Sequence, residues 1–206
     1  MPSNVDMFHC DHARPEHIEL PGADLLFWPQ FYTPIEAQQL YSHLMQRIAW
    51  EEKTIIMYGR EVLVPRLSAW YADTHKDYTY SGHTHAPLPW IPELSQLKHA
   101  IEERSGEVFN SVLCNLYRNG QDSVAWHSDD EPELGNEPVI ASLSFGEART
   151  FQLRRRDDHQ QKFALELSAG SCLLMKGKTQ KLWQHQIAKS VKPMEARINL
   201  TFRLIS

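Results

Sequence analysis

From residue 107 to residue 206 the chain is a succession of short β-rich runs: VFNSVLCNLY, VIASLSF, RTFQLRR, KFALEL, SCLLM, LWQHQI and RINLTFRLI, most of them separated by turn residues. Many short strands at this spacing predict a sandwich or barrel. The preceding residues have a different texture. LLFW, 25–28, reads as a first strand. Thr33-Pro34-x-Glu36 reads as a helix start, with Thr33 as N-cap, Pro34 at the first helical position and Glu36 three residues after the cap. That helix is expected to run to Arg47, with Ile35, Leu40, Leu44 and Ile48 on or near one stripe. Residues 50–82 are strand-like and aromatic, the proline-rich stretch 87–92 marks a connector, and residues 92–106 read as a second helix ending at Gly106. Residues 1–20 read as a flexible tail. The whole parses as a single domain, mainly β with flanking helices (α+β): a jelly-roll core over 107–206, with the helices and hairpins of an N-terminal extension, 21–106, beside it.

The 206 residues are 42% apolar and 23% charged, the balance of a globular protein. No apolar run approaches the ~20 residues that span a bilayer, and MPSNVDMFHCDHARPEH lacks the basic start and apolar stretch of a signal peptide. Cys10, Cys114 and Cys172 are an odd, scattered set, which points to reduced thiols. Together these lead to the expectation of an intracellular protein with no membrane partner, cytoplasmic, or nuclear in a eukaryotic cell. The net charge of -5 hides an asymmetry: residues 1–147 carry 9 Lys and Arg against 22 Asp and Glu, while residues 148–206 carry 12 against 4. Either the basic segment forms a one-sided positive surface, the footprint expected for phosphates, or its charges scatter over all sides.

Three segments alternate in a way that places chemistry. In a strand, residues i and i+2 face the same way. An extended His127-Ser128-Asp129 therefore projects an imidazole and a carboxylate side by side. Along the last strand Arg197, Asn199, Thr201 and Arg203 share one face, and Ile198, Leu200, Phe202 and Leu204 share the other. If the polar face points to solvent it is ordinary. If it points into a barrel, the two guanidinium groups need anionic partners, because an uncompensated buried charge costs about 3–5 kcal/mol, and arginine matches a carboxylate bidentately. In VLCNLY, Asn115 and Tyr117 share a face with Leu113, either as ligand contacts or as the wet side of a half-buried strand. His185 lies in LWQHQI. Two histidines and one carboxylate make the facial triad of non-haem Fe(II) oxygenases. Cys114 and Cys172 read as core residues, His83-Thr84-His85 as a loop, and His9, Cys10, His12 and His17 as tail residues with no scaffold to make a site.

With His127-x-Asp129, the later His185, Asn115-x-Tyr117 before them, PVIASLSFG over 138–146 and RINLTFR over 197–203 in this order, the chain resembles the AlkB family of Fe(II)- and 2-oxoglutarate-dependent dioxygenases. The likeness is nearest to the nucleic-acid-repair members. It implies a double-stranded β-helix core. It implies Fe(II) held by His127, Asp129 and His185, which would also be the catalytic residues, with O2 as a further substrate. It implies 2-oxoglutarate held by Arg197 and Arg203, with Asn115, Tyr117, Asn199 and Thr201 assisting; which arginine serves which carboxylate stays open.

The implied function is oxidative demethylation of N-alkylated bases of the 1-methyladenine and 3-methylcytosine type, in DNA and as a further candidate in RNA, releasing formaldehyde, succinate and CO2. YTYSG, 78–82, is similar to the family's hairpin lid, so Tyr78, Tyr80 and Ser81 would contact substrate, with Tyr80 stacked on a flipped base. MYGREVLVPR, 57–66, resembles a duplex-inserting hairpin, with Tyr58 at the inserting place. Asp130 is either a contact to the exocyclic edge of the base or a solvated loop acid, and Glu131 and Glu133 are loop acids without assigned chemistry. Arg154, Arg155, Arg156, Lys176, Lys178 and Lys181 either track phosphates or, for the arginines, form a solvated hairpin end. The implied partner is nucleic acid, met by a monomer. The alternatives are an AlkB-like dioxygenase acting on protein, lipid or modified tRNA, and, more remotely, a non-enzymatic jelly-roll binding module.

Overall fold

The computed structural model describes residues 14–57, 60–73, 78–80, 83–85 and 87–206, with the side chains of 55–57, 60, 78–80 and 83–85 outside that description. Strand β1 (Glu16–Ile18) pairs antiparallel with β2 (Asp24–Trp28). Regular structure thus reaches into the stretch read from the sequence as a tail, and His17 Nε2 lies 3.6 Å from Asp24 Oδ1.

Helix α1 (Pro34–Arg47) begins where the sequence predicts and for the predicted reason. The Glu36 N–H donates to Thr33 Oγ1 at 3.3 Å, and the Thr33 N–H donates to Glu36 Oε2 at 2.8 Å. Thr33→Ala is expected to lower global stability by about 1 kcal/mol, read as a lower urea midpoint at unchanged slope. The buried stripe is Ala37, Leu40, Leu44 and Ile48, whereas Ile35 is 73% exposed. Ile35 does not join the stripe because five residues at about 100° each turn it away from Leu40.

Next come β3 (Glu51–Met57) and β4 (Arg60–Ala72), a hairpin, then β5 (Tyr78–Tyr80) and β6 (His83–His85), which pair with each other. His83–His85, read from the sequence as a loop, is therefore a strand. Helix α2 (Pro92–Ser105) stops at Gly106, whose φ of 72° is a left-handed cap suited to glycine. The remaining elements are β7 (Ser111–Tyr117), β8 (Val124–His127), a 3-10 turn at Pro132–Leu134, β9 (Ile140–Gly146), β10 (Arg149–Arg155), β11 (Lys162–Leu167), β12 (Cys172–Lys176), the short helix α3 (Thr179–Leu182), β13 (Trp183–Ile187) and β14 (Arg197–Arg203).

The strands build a jelly roll of two sheets. One has the order β1-β2-β12-β9-β14-β7-β4-β3, the other β11-β10-β13-β8. Strands from both halves of the chain share the larger sheet, since β2 pairs with β12 and β4 with β7. Its outer face packs under the helices: Leu40, Leu44, Leu94, Leu97 and Ile101 meet Cys114, Leu143, Cys172, Ile198, Leu200 and Phe202. A second cluster joins Ile140, Leu173 and Met175 of the larger sheet to Phe151, Leu153, Trp183 and Ile187 of the smaller one. Ile198, Leu200 and Phe202 are fully buried, each worth about 1.5–3 kcal/mol of apolar burial. Leu204, placed by the sequence pattern on that face, is 50% exposed because β14 ends at Arg203; Ile205 is buried instead. The polar half of β14 is thereby aimed into the space between the sheets.

Candidate active site

A cavity of about 130 Å³ lies between the sheets. Volumes of roughly 300 Å³ and more hold drug-sized ligands, so this space suits a molecule of few heavy atoms. The larger sheet contributes Leu113, Asn115 and Tyr117 of β7, Ser142 of β9, and Arg197, Asn199, Thr201 and Arg203 of β14. The smaller sheet contributes Val124, His127, Phe151, His185 and Ile187. The face shared by Leu113, Asn115 and Tyr117 is therefore an inner wall, not a wet side.

At one end His127 and His185 are paired across β8 and β13, with ring centroids 4.2 Å apart. His127 Nε2 is 3.6 Å from Asp129 Oδ1, and one ligand atom from each of His127, Asp129 and His185 lies within 4.8 Å of the others. Such a set can hold a metal ion. His127 Nδ1 is 2.8 Å from Ala125 O. A carbonyl only accepts, so Nδ1 carries a proton and Nε2 is the ring nitrogen left to face a metal. The buried His185 ring stacks on Phe151 at 5.0 Å. Burial, aided by the nearby His127, pulls its pKa down to about 3, so the imidazole is neutral as a ligand must be. Burial pushes the Asp129 carboxyl up, but the charge and the hydrogen bond of Arg203 prevail and hold it well below the usual carboxylate range. Arg203 Nη2 donates to Asp129 Oδ1 at 2.9 Å. The sequence pattern places Asp129 by strand alternation. In the structure β8 ends at His127, and the Asp129 N–H is held by Gln180 Oε1 at 3.0 Å.

At the other end Arg197 is 1% exposed. Its Nη2 donates to Ser144 Oγ at 3.0 Å and its guanidinium lies 5.3 Å from the centre of the Tyr117 ring, but buried Nε and Nη1 have no hydrogen-bond partner. Burial lowers its pKa to about 10. Two buried donors without acceptors are rare in native proteins and call for an acceptor ligand. Between the two ends, Asn199 Nδ2 donates to Ser142 Oγ at 2.8 Å, and Thr201 Oγ1 donates to Asn199 Oδ1 at 3.1 Å. Asn115 Oδ1 accepts from Arg66 Nε at 2.8 Å.

Several lining residues were not singled out from the sequence. Arg66 reaches the cavity from β4, and no local pattern marks it. Ser142 and Ser144 are small residues of β9 whose importance comes from the side chains opposite them. Glu131, read as a loop acid without chemistry, lines the cavity with its Oε2 buried and without a hydrogen-bond partner. Asp130 does not line it; its carboxylate accepts from Arg156 Nη1 at 2.7 Å. Arg154 bonds Gln184 and lies 4.4 Å over the Trp126 ring, and Arg155 bonds Asp157. All three arginines of the basic run thus have partners within the protein. Lys176 pairs with Glu107, while Lys178 and Lys181 are exposed. Of the sequence-predicted substrate contacts, Tyr78 and Tyr80 lie in β5 with side chains outside the described set, and Tyr58 and Ser81 lie outside the described residues.

The model of the 2OG-Fe(II) oxygenase superfamily matches residues 24–203. Alpha-ketoglutarate-dependent dioxygenase alkB homolog 3 of Homo sapiens is 44% identical over 187 residues, 86% of this chain and 65% of that protein. DNA oxidative demethylase ALKBH2 of Homo sapiens is 34% identical over 199 residues, 92% of this chain and 76% of that protein. The chain belongs to the AlkB family of this superfamily. It spans 65% of the length of the human homolog 3. The solved structure of OsALKBH1 superposes with a TM-score of 0.63 at 17% identity, over 92% of this chain and 99% of that one, which establishes the same fold.

The residues of this AlkB-family chain fit the groups its family implies. Two histidines and a carboxylate with close-set ligand atoms suit Fe(II) and leave positions open for other ligands. The orphaned donors of Arg197 suit one carboxylate of 2-oxoglutarate. Among the described residues no helix is long and apolar enough to cross a membrane.

Proposed function

We propose that this oxygenase removes methyl groups oxidatively from N-alkylated bases of nucleic acid, of the 1-methyladenine and 3-methylcytosine type, in DNA and also in RNA. The observation that carries the reading is the pairing, in one cavity, of the His127–Asp129–His185 set with the unsatisfied Arg197 donors. The relatives, a dioxygenase and a DNA oxidative demethylase by name, favour a nucleic-acid substrate over protein, lipid, modified tRNA or a non-enzymatic role. The reading takes residues 1–206 as a single catalytic domain acting as a monomer in the cytoplasm, or in the nucleus of a eukaryotic cell.

His127, Asp129 and His185 would hold Fe(II), with His185 neutral and Asp129 ionised by its Arg203 partner. Arg197, with Tyr117 beside it, takes the remote carboxylate of 2-oxoglutarate, and Asn115, opposite Asn199, assists. Arg203, which pairs with Asp129, takes the metal end, a reading supported by that pair and by the unsatisfied donors of Arg197 at the other end. Asn199 and Thr201 shape the wall between them. Bound there, Fe(II) supplies O2 activation coupled to oxidation of 2-oxoglutarate to succinate and CO2, and the methyl group oxidised in turn leaves as formaldehyde. Tyr78, Tyr80 and Ser81 take the extruded base, with Tyr80 stacked on it, and Tyr58 inserts into the duplex, together offsetting an unstacking cost of about a few kcal/mol. Asp130 can exchange Arg156 for the base, since an exposed ion pair is worth only about 0–1 kcal/mol.

The test supplies Fe(II), ascorbate and 2-oxoglutarate with 1-methyladenine or 3-methylcytosine in single-stranded DNA, duplex DNA and RNA. Mass spectrometry is expected to show loss of the methyl group on at least one of them. No turnover on any substrate would overturn the reading.

A further inference from the structure

Gln180 is 1% exposed and sits in α3, a helix of only four residues. Both ends of its amide have partners. Nε2 donates to Met175 Sδ at 3.5 Å, and Oε1 accepts the Asp129 N–H at 3.0 Å. The orientation is dictated by chemistry, because a backbone N–H only donates and the amide oxygen must therefore face it. Burying an amide is costly unless it is hydrogen-bonded, so its position here is explained by what it holds.

The neighbours of Asp129 are tied to the same turn. Ser128 Oγ donates to Trp183 O at 3.0 Å. Arg156 Nη1 bridges Asp130 Oδ2 at 2.7 Å and Gln180 O at 3.4 Å. The turn is itself pinned by Thr179, whose Oγ1 donates to Lys176 O at 2.6 Å and accepts the Asp24 N–H at 3.0 Å. Because β8 ends at His127, residues 128–130 lack a strand ladder, and these contacts stand in for it. The turn then leads directly into β13 and His185. The segment bearing Asp129 is thus fixed against the segment bearing His185.

We infer that Gln180 is a positioning residue that sets the Asp129 carboxylate relative to His127 and His185, with Arg156 as an outer strap. The inference rests on reading these three residues as the metal site. Co(II) is the probe, titrated without oxygen into the purified full chain, with affinity and d–d absorption both recorded. Gln180→Met keeps the length of the side chain and removes its strong acceptor. It is expected to weaken Co(II) binding about tenfold, the lower end for loss of a ligand-orienting partner, and to change the d–d spectrum while far-UV circular dichroism stays the same. Arg156→Gln, at a side chain 44% exposed, is expected to weaken it about threefold, the scale of a partly exposed charge pair, with the spectrum moving in the same direction. Native affinity and spectrum in Gln180→Met overturn the inference. If that variant fails to fold, Arg156→Gln decides by the same two readouts. A wild-type protein that binds no Co(II) overturns the metal reading and this inference together, whereas a wild type that binds it as Gln180→Met does overturns the inference alone.

Discussion

Arg197→Met is expected to leave the ligand-free protein as stable as the wild type, or more stable, and to weaken 2-oxoglutarate binding about a hundredfold or more. Arg197 is fully buried; its Nη2 donates to Ser144, Tyr117 lies beside it, and Nε and Nη1 have no hydrogen-bond partner. The pull of its pKa down to about 10 has burial as its main cause. Replacing buried charge by apolar side chains of similar volume is often neutral or stabilising by about 1–4 kcal/mol. Methionine keeps an unbranched stem of similar course beside Tyr117 and gives up one bond to a serine hydroxyl, about 1 kcal/mol. With ligand the sign reverses. Two charge-assisted hydrogen bonds at about 1.5–3 kcal/mol each amount to a factor on the order of a hundred or more in affinity. Thermal unfolding with and without 2-oxoglutarate reads both effects. The wild type should gain about 2.7 kcal/mol at a hundredfold excess over Kd, and the variant about 0.4 kcal/mol or less at the same concentration. A variant that unfolds early without ligand, yet keeps the ligand-induced gain, would remove Arg197 from the cosubstrate site.

That arginine could be found in the sequence because strand alternation is a strong local rule. Ile198, Leu200 and Phe202 need a core, so Arg197, Asn199, Thr201 and Arg203 must face the other way, and the structure buries those too. Thr33 and Glu36 could be read for a similar reason: a capping box closes within four residues. The same kind of rule misled where the geometry was not local. His127 and Asp129 are neighbours as expected, but not because they share a strand face; the strand stops at His127 and a distant glutamine amide takes over. Nothing near Gln180, Arg66 or Ser144 in the chain announces them. Their roles arise from sheet order, which brings β4 beside β7 and β9 beside β14, and from a one-turn helix folded back on the loop after β8. Glu131 looked like any loop acid because burial of a single carboxylate oxygen has no sequence signature. Ile35 and Leu204 erred at element ends, where a residue still matches the pattern by type while the backbone has already turned it outward or left the strand.

Asp129→Ala should behave in the opposite way to Arg197→Met, losing stability as well as metal and turnover. Asp129 and Arg203 form a pair at 2.9 Å with both side chains nearly buried. Removing one member of a buried pair costs about 3–5 kcal/mol, because the other charge keeps its burial and loses its counter-charge. Arg203 has a further interaction, which places the expected loss at the lower end, about 3 kcal/mol, or on the order of 10 °C in Tm for a chain of this size. The metal-binding loss is separable from this structural loss. In Asp129→Ala/Arg203→Met both charges are gone, so stability should return most of the way while Co(II) affinity and 2-oxoglutarate turnover stay at the level of Asp129→Ala. A double-mutant cycle on unfolding free energy gives the coupling of the pair, and metal titration of the same proteins gives the ligand role. If Asp129→Ala bound Co(II) as tightly as the wild type, Asp129 would be only the counter-charge of Arg203. If the double variant regained Co(II) affinity along with stability, the loss in Asp129→Ala would have come from a disturbed fold. A carboxylate that is both ligand and counter-charge predicts neither. It also explains why this acid stays ionised though buried: the arginine beside it supplies the compensation that Arg197, at the other end of the cavity, still lacks until a carboxylate arrives.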